Sequence, residues 1–221
     1  MAENKKDYIK KILRRSNFIY GLSESLYKKC HRKGLKVKST WGGVKLSPFV
    51  VGTGNMFISD VNCLVKNLHI RINGSNNTIK LGKNITIKSD CEFAITGNRC
   101  RIQIGDDSTF TSHVKIEVNE DNQFIEIGND CMFSNNIILR TNDSHPIYSL
   151  DSQKRINPAK SIRIGNHVWI AAGVSILKGV NIGDGSVIGL KSIVTKDIPE
   201  NVIAAGTPAK VIKYGIEWKR D

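Results

Sequence analysis

Five histidines are scattered through the 221 residues, and His145 has the most unusual setting. It stands in NDSHPIY, where the chain has its only His-Pro pair. A hydroxyl that attacks an electrophile must lose its proton as the new bond forms. Imidazole is the side chain best suited to take that proton near neutral pH. Asp143, two residues earlier, or a backbone carbonyl could hold the other ring nitrogen and fix the tautomer. His113, two positions past the outward-facing Thr111, is the rival; it lines the same cleft or faces solvent. His167 reads as a solvent-facing turn residue, and His31 and His69 have no chemical context. No His-x4-His pair occurs, and position 150 is Leu, so no metal site is expected. The five cysteines include no CxxC. Cys91 and Cys131 read as buried thiols rather than a disulfide framework, which favours a reducing, cytoplasmic location.

The elements that must position these residues are set by a period of six. Ile164, Ile170, Ile176, Ile182, Ile188 and Val194 recur at that spacing, and Val168, Val174, Val180, Ser186, Ser192 and Ile198 follow four residues after each. Neither a helix nor a simple strand has that period. A triangular coil of three short strands does, with successive coils stacked as parallel strands about 4.8 Å apart. The register extends backwards through Ile58, Leu64 and Ile70, then Leu81, Ile87 and Phe93, then Ile104, Phe110 and Ile116, then Ile127, Phe133 and Leu139. The first members, 58, 81, 104 and 127, are 23 apart: an 18-residue coil with five extra residues at one corner. The extra residues fall in NGSNN, TGNRC and NEDNQ, which are turn-forming sequences. About six coils result, with Leu46 and Gly52 a weak continuation upstream. From Arg140 to Arg163 the beat stops, and so long an excursion from a tight solenoid is expected to be functional.

The flanks differ. Residues 1–38 hold 12 Lys/Arg and 3 acidic residues, so +9 of the net +13 lies there. Ile9, Ile12, Leu13 and Ile19 share one helical face among the basic residues. The expected organisation is a basic helical segment over 1–40, the β-helix over 41–199 with a loop at 140–163, and a C-terminal return strand and tail over 200–221. The basic segment either packs on the body or a neighbouring subunit, or lies on an anionic membrane or glycan. The first residues are polar, with no secretory h-region, and no run of 18 apolar residues occurs. Nucleic acid is not expected as a partner, because the basic stretch lacks interleaved aromatics.

The six-residue beat, together with SHPIY, INPAKSIRIGNHVWI and TKDIPENVIAAGTPAKVIK, resembles the hexapeptide-repeat acyltransferases, and within them the sugar and capsular polysaccharide O-acetyltransferases. The resemblance is dense over 127–213. It implies an all-β, left-handed parallel β-helix, a homotrimer, and acetyl-CoA as co-substrate. It also implies that His145 is catalytic and that Trp169 lines the acetyl and pantetheine channel beside Ala172, Leu190, Thr195 and Lys196. Lys210 and Lys213 would sit near the CoA phosphates; relatives often have Arg there, so point charges replace a bidentate grip. Ala171-Ala172-Gly173 is small enough for close approach, and its backbone N–H groups could hold an oxyanion.

The function expected is transfer of acetyl to a hydroxyl of a bacterial surface glycan, with Tyr148, Lys154 and Arg155 as acceptor contacts on the loop. A runner-up is acetylation of a small amino sugar, nucleotide sugar or antibiotic. A catalytically silent trimeric scaffold is the non-enzymatic alternative, and the intact His145, Trp169 and TPAK motif argue against it. The expected location is cytoplasmic, at the inner face of the membrane if the basic segment docks there.

Overall fold

Inward side chains come in pairs two residues apart, and the pairs recur every six. Val168 and Ile170, Val174 and Ile176, and Val180 and Ile182 are each no more than 3% exposed. One pair per strand and three strands per coil fill the inside of a parallel β-solenoid, consistent with the left-handed β-helix expected. The computed structural model describes residues 34–39 and 43–220. The expected N-terminal helices and Cys30 lie outside the described residues. Among the described residues there is no helix.

Three faces follow one another around each coil. Face one is a seven-stranded parallel sheet that begins at Leu35–Ser39 and Asn55–Ser59 and ends at Asn181–Ile182. β structure thus starts ahead of residue 41. Faces two and three belong to one twelve-stranded sheet, because long strands such as Thr109–Asn119 and Met132–Arg140 bend around the corner between them. Trp169–Ile170 and Val187–Ile188 lie on face two; Glu92–Thr96, Ser175–Ile176 and Ile193–Val194 lie on face three. Phe93, Phe110 and Phe133 fill the centre, with the last two rings stacked at 4.6 Å.

The period misreads the first full coil by one residue. Ser59, not Ile58, aligns with Leu81, and Val65, not Leu64, aligns with Ile87. Val65 is buried and Leu64 is exposed. The cause is local: this coil has one residue fewer between Val65 and Asn67, so Ile70 returns to register opposite Phe93.

Corners are made by residues with positive φ. Between faces one and two stand Asn62, Asn84, Asp107, Asp130, His167 and Asn201, at φ of 53° to 61°. Between faces two and three stand Asn67, Asp90, His113, Asn136 and Lys191, at 51° to 57°. Asn and Asp tolerate this region best. His113 and His167 therefore occupy turn positions, which is why the beat carries a histidine there.

The C-terminus keeps to the column longer than AAGTPAK suggests. Val202–Gly206 forms a last rung parallel to Val187–Ile188, and Ala204 is buried. Ala209–Tyr214 then returns antiparallel beside it. The tail ends in a clasp rather than an exposed apolar end. Trp218 is buried, stacks on His167 at 4.0 Å, and donates its indole N–H to the His167 carbonyl at 2.8 Å. Arg220 reaches back across two coils to Asp130 (2.7 Å) and the Cys131 carbonyl (2.9 Å).

Candidate active site

The long loop leaves from the corner between faces three and one, the corner that carries the five-residue bulges in earlier coils. Its two ends are tied together. The Thr141 amide N–H donates to the Glu117 carbonyl (3.1 Å), and the Lys160 amide N–H donates to the Thr141 carbonyl (2.9 Å). Between them the chain folds into a small hairpin. Ile156 N–H donates to the Ile147 carbonyl (2.8 Å), and Ser149 N–H donates to the Lys154 carbonyl (2.9 Å). Tyr148 and Arg155 are bridge partners.

Asn157 fixes the hairpin to the segment that carries His145. It is buried. Its Nδ2 donates to Asp143 Oδ2 (3.0 Å) and to the His145 carbonyl (2.9 Å), while its Oδ1 accepts from Ile147 N–H (2.6 Å). The sequence does not single out Asn157; its one local signal is that it precedes Pro158 in INPAK.

His145 is exposed, and its amide N–H closes a tight turn onto the Asp143 carbonyl at 2.9 Å. No hydrogen bond engages its ring among the described residues. Asp143 does not orient that ring here. Its carboxylate pairs with Lys178, at the same corner one coil on, and with Asn157. The Lys178 ammonium, followed by Asn157, holds the Asp143 carboxyl below its ordinary range despite desolvation.

Arg155 is likewise an anchor. Its guanidinium forks onto Glu120, with Nη1 at 3.0 Å from Oε2, and Glu120 also accepts from the Ala159 N–H (3.3 Å). That pairing holds the Glu120 carboxyl below its ordinary value. Tyr148 and Lys154 stay exposed on the hairpin. Arg140 Nη2 donates to Ser144 Oγ at 2.6 Å, which braces the loop beside His145.

The remaining expected site residues fall on other flanks. Ala172 and Leu190 occupy the corner between faces two and three in successive coils, and Lys191 N–H donates to the Ala172 carbonyl at 2.9 Å. His113 stands on that same corner two coils earlier. Thr195 and Lys196 share the corner from which the His145 loop leaves, two coils along. Trp169 is 36% exposed on face two, 6.1 Å from Trp218. Lys210 and Lys213 are exposed on the return strand opposite Ala205 and Ile203. The corner between faces three and one is the vertex opposite face two, so within one chain His145 and Trp169 lie on opposite sides of the coil.

His167 differs from its expected role. Its Nδ1 lies 2.6 Å from Asp130 Oδ2 and its Nε2 lies 2.9 Å from the Trp218 carbonyl. Desolvation lowers its pKa, but the Trp218 carbonyl and Asp130 together outweigh that and leave it raised. Cys63, Cys91, Cys100 and Cys131 are buried and free, and burial pushes the Cys131 thiol up to about 11. None of the four is poised as a nucleophile.

A parallel β-helix that projects a histidine from one long corner loop is the architecture of a recognised class of transferases. Residues 161–196 match the family described as Bacterial transferase hexapeptide (six repeats). The solved polySia-specific acetyltransferase NeuO aligns with a TM-score of 0.73 at 35% sequence identity, covering 86% of this chain and 84% of that one. The polysialic acid O-acetyltransferase OatWY gives 0.67 at 29%, covering 85% and 92%. A polysialic acid O-acetyltransferase of Escherichia coli O1:K1 is 47% identical over 78 residues, which make up 35% of this chain and 25% of that protein. The chain thus spans about a quarter of the length of that curated relative. It belongs to the hexapeptide-repeat acetyltransferase family.

Proposed function

We propose that this protein is an acetyl-CoA-dependent O-acetyltransferase acting on a glycan hydroxyl, with His145 as general base. The observation that carries the reading is an exposed imidazole, unengaged by other side chains, on a segment held rigidly by Asn157, the Asp143–Lys178 pair and the Glu120–Arg155 fork. A ring nitrogen of His145 takes the acceptor hydroxyl proton as the oxygen attacks the thioester carbonyl carbon. The tetrahedral oxyanion collapses, the C–S bond breaks, and the CoA thiolate recovers the proton from His145. No acyl-enzyme forms. Ala171 N–H donates to the Ile188 carbonyl (3.0 Å) and Gly173 N–H to the Asn135 carbonyl (2.9 Å), so within this tripeptide the Ala172 N–H is the one suited to the oxyanion. Lys210 and Lys213 are suited to the CoA phosphates.

A site that uses both His145 and Trp169 takes them from two copies of the chain, because they lie on opposite sides of one coil. A closed ring of three copies meets that need. The acceptor class rests on the similarity to polysialic acid O-acetyltransferases and on the basic balance of the chain. We further propose a cytoplasmic location; whether the basic residues 1–38 dock on an anionic membrane or pack on the body or a neighbouring subunit is decided by co-sedimentation with phosphatidylserine vesicles at low and high salt.

Free CoA released from acetyl-CoA, measured over polysialic acid, free sialic acid, neutral oligosaccharides and a UDP-amino sugar, tests the activity. Turnover on a glycan should fall about 10²–10⁴-fold in His145→Ala. Undiminished turnover in that variant would move the base to another residue, His113 first.

A further inference from the structure

We propose that the outer surface of face three is an extended acceptor track that takes a linear oligosaccharide rather than a single sugar. It runs from the His145 loop towards the N-terminal coils. This rests on the glycan acetyltransferase reading above and adds the size and path of the acceptor.

The track is built by register. Phe49, Arg71, Ala94, Glu117 and Arg140 are successive partners across five strands, so their side chains stand in one outward column. Val51, Asn73, Thr96 and Asn119 form the column beside it. Four strand spacings of about 4.8 Å give a length of about 19 Å. A pyranose ring is about as wide as one such spacing, so the track holds several linked rings.

Two cavities lie along these columns and meet. One, of about 430 Å³, is bounded by Arg140, Asn142 and Ser144 at the base of the His145 loop. The other, of about 200 Å³, reaches Phe49 and Arg71. They share Thr96, Glu117 and Asn119, so the groove is continuous. Ala94 is its low point: a methyl group between the long side chains of Arg71 and Glu117 leaves room for a ligand.

The chemistry of the walls suits a hydroxyl-rich chain. Donors and acceptors alternate, and the charges are largely balanced. Arg71 pairs with Glu92, and Glu117 lies 2.9 Å from Lys115 Nζ and 3.8 Å from Arg140 Nε. Asn73, Thr96 and Asn119 offer neutral hydrogen bonds. Next to the loop, Arg140 Nε and Asn142 Oδ1 are buried with no hydrogen-bond partner among the described residues, Glu117 standing 3.8 Å from the former. Orphaned buried groups are uncommon, and both belong to side chains lining the cavity nearest His145, where a bound hydroxyl could donate to Asn142 Oδ1 and a hydroxyl or carboxylate could accept from Arg140 Nε.

The test uses two acceptor series, α2,8-linked sialic acid and maltose-type glucan, each of one, two, four and eight units. CoA release and direct calorimetric binding of the eight-unit chains are measured on wild type and Ala94→Trp. Thr96→Tyr, at an exposed position, serves as a second blocking variant. In wild type, kcat/KM should rise at least tenfold from one unit to eight in one series. Ala94→Trp should remove that rise, with the one-unit rate and the KM for acetyl-CoA unchanged. Acetylation equal at all lengths and indifferent to both variants would overturn the track and leave the acetyltransferase reading standing. Octamer binding that Ala94→Trp abolishes, with no acetyl transfer to any acceptor, would support the track and sink that reading. Neither binding nor transfer in either series would overturn both.

Discussion

Both ring nitrogens of His167 face acceptors, Asp130 and the Trp218 carbonyl, so the geometry suits the imidazolium. Its pKa is raised in the folded protein. The stabilisation this gives is therefore fully present below the unfolded value of about 6.5 and is lost as pH rises through the higher folded value. The melting-temperature gap between wild type and His167→Gln should be widest near pH 5.5 and shrink by pH 8.5. A gap that stays constant across that range would show that the clasp holds without the charge. His145 could be found in the sequence because a His-Pro interrupts a strict beat. The groups that hold its loop could not. Lys178 stands 35 residues from Asp143, and Arg155 stands 35 from Glu120. Neither spacing is a multiple of the six-residue period, and only the folded loop brings the pairs together.

At the scale of the element, the loop and the column are separate structures with separate sensitivities. Asn157→Ala removes the donor to Asp143 and His145 and leaves the Ile147 N–H without its acceptor, a local loss of about 1–3 kcal/mol. It should speed proteolysis within 142–159 and lower kcat, with little change in the melting of the coils. Phe133→Ala acts in the opposite way. It opens a cavity against the stacked Phe110 ring and should destabilise the solenoid by about 3–5 kcal/mol, read as a lower denaturant midpoint. The column was legible because burial enforces it coil after coil. The misread residues, Ile58 and Leu64, lie where one corner is a residue short. A period extrapolated through a deletion keeps its beat and loses its register. The clasp of Trp218 and Arg220 was not legible, since a tail beyond the repeats carries no periodic signal.

For the whole molecule, the opposition of His145 and Trp169 across one coil makes a prediction that stability measurements do not reach. His145→Ala and Trp169→Ala should each be defective alone. Co-expressed in equal amounts, they should regain about a quarter of wild-type activity. Each site would take its histidine from one copy and its tryptophan from the next, and a random ring pairs intact donors at about that frequency. No recovery, with mixed assemblies confirmed by mass, would place both residues' roles within one chain.

The corner between faces three and one is a seam along which the chain can be lengthened. Four coils carry short bulges there, the first at 52–54, and the next carries the long loop, yet the strands on either side stay in register. Closing a loop of about twenty residues instead of five costs only about 1 kcal/mol more in chain entropy. New chemistry can therefore be added at this edge without redesigning the body. Replacing residues 142–159 with a short corner taken from an earlier coil should leave a folded solenoid that no longer transfers acetyl groups. In that sense the His145 loop is a module carried by the stack, and different loops on the same seam would give different chemistry to one scaffold.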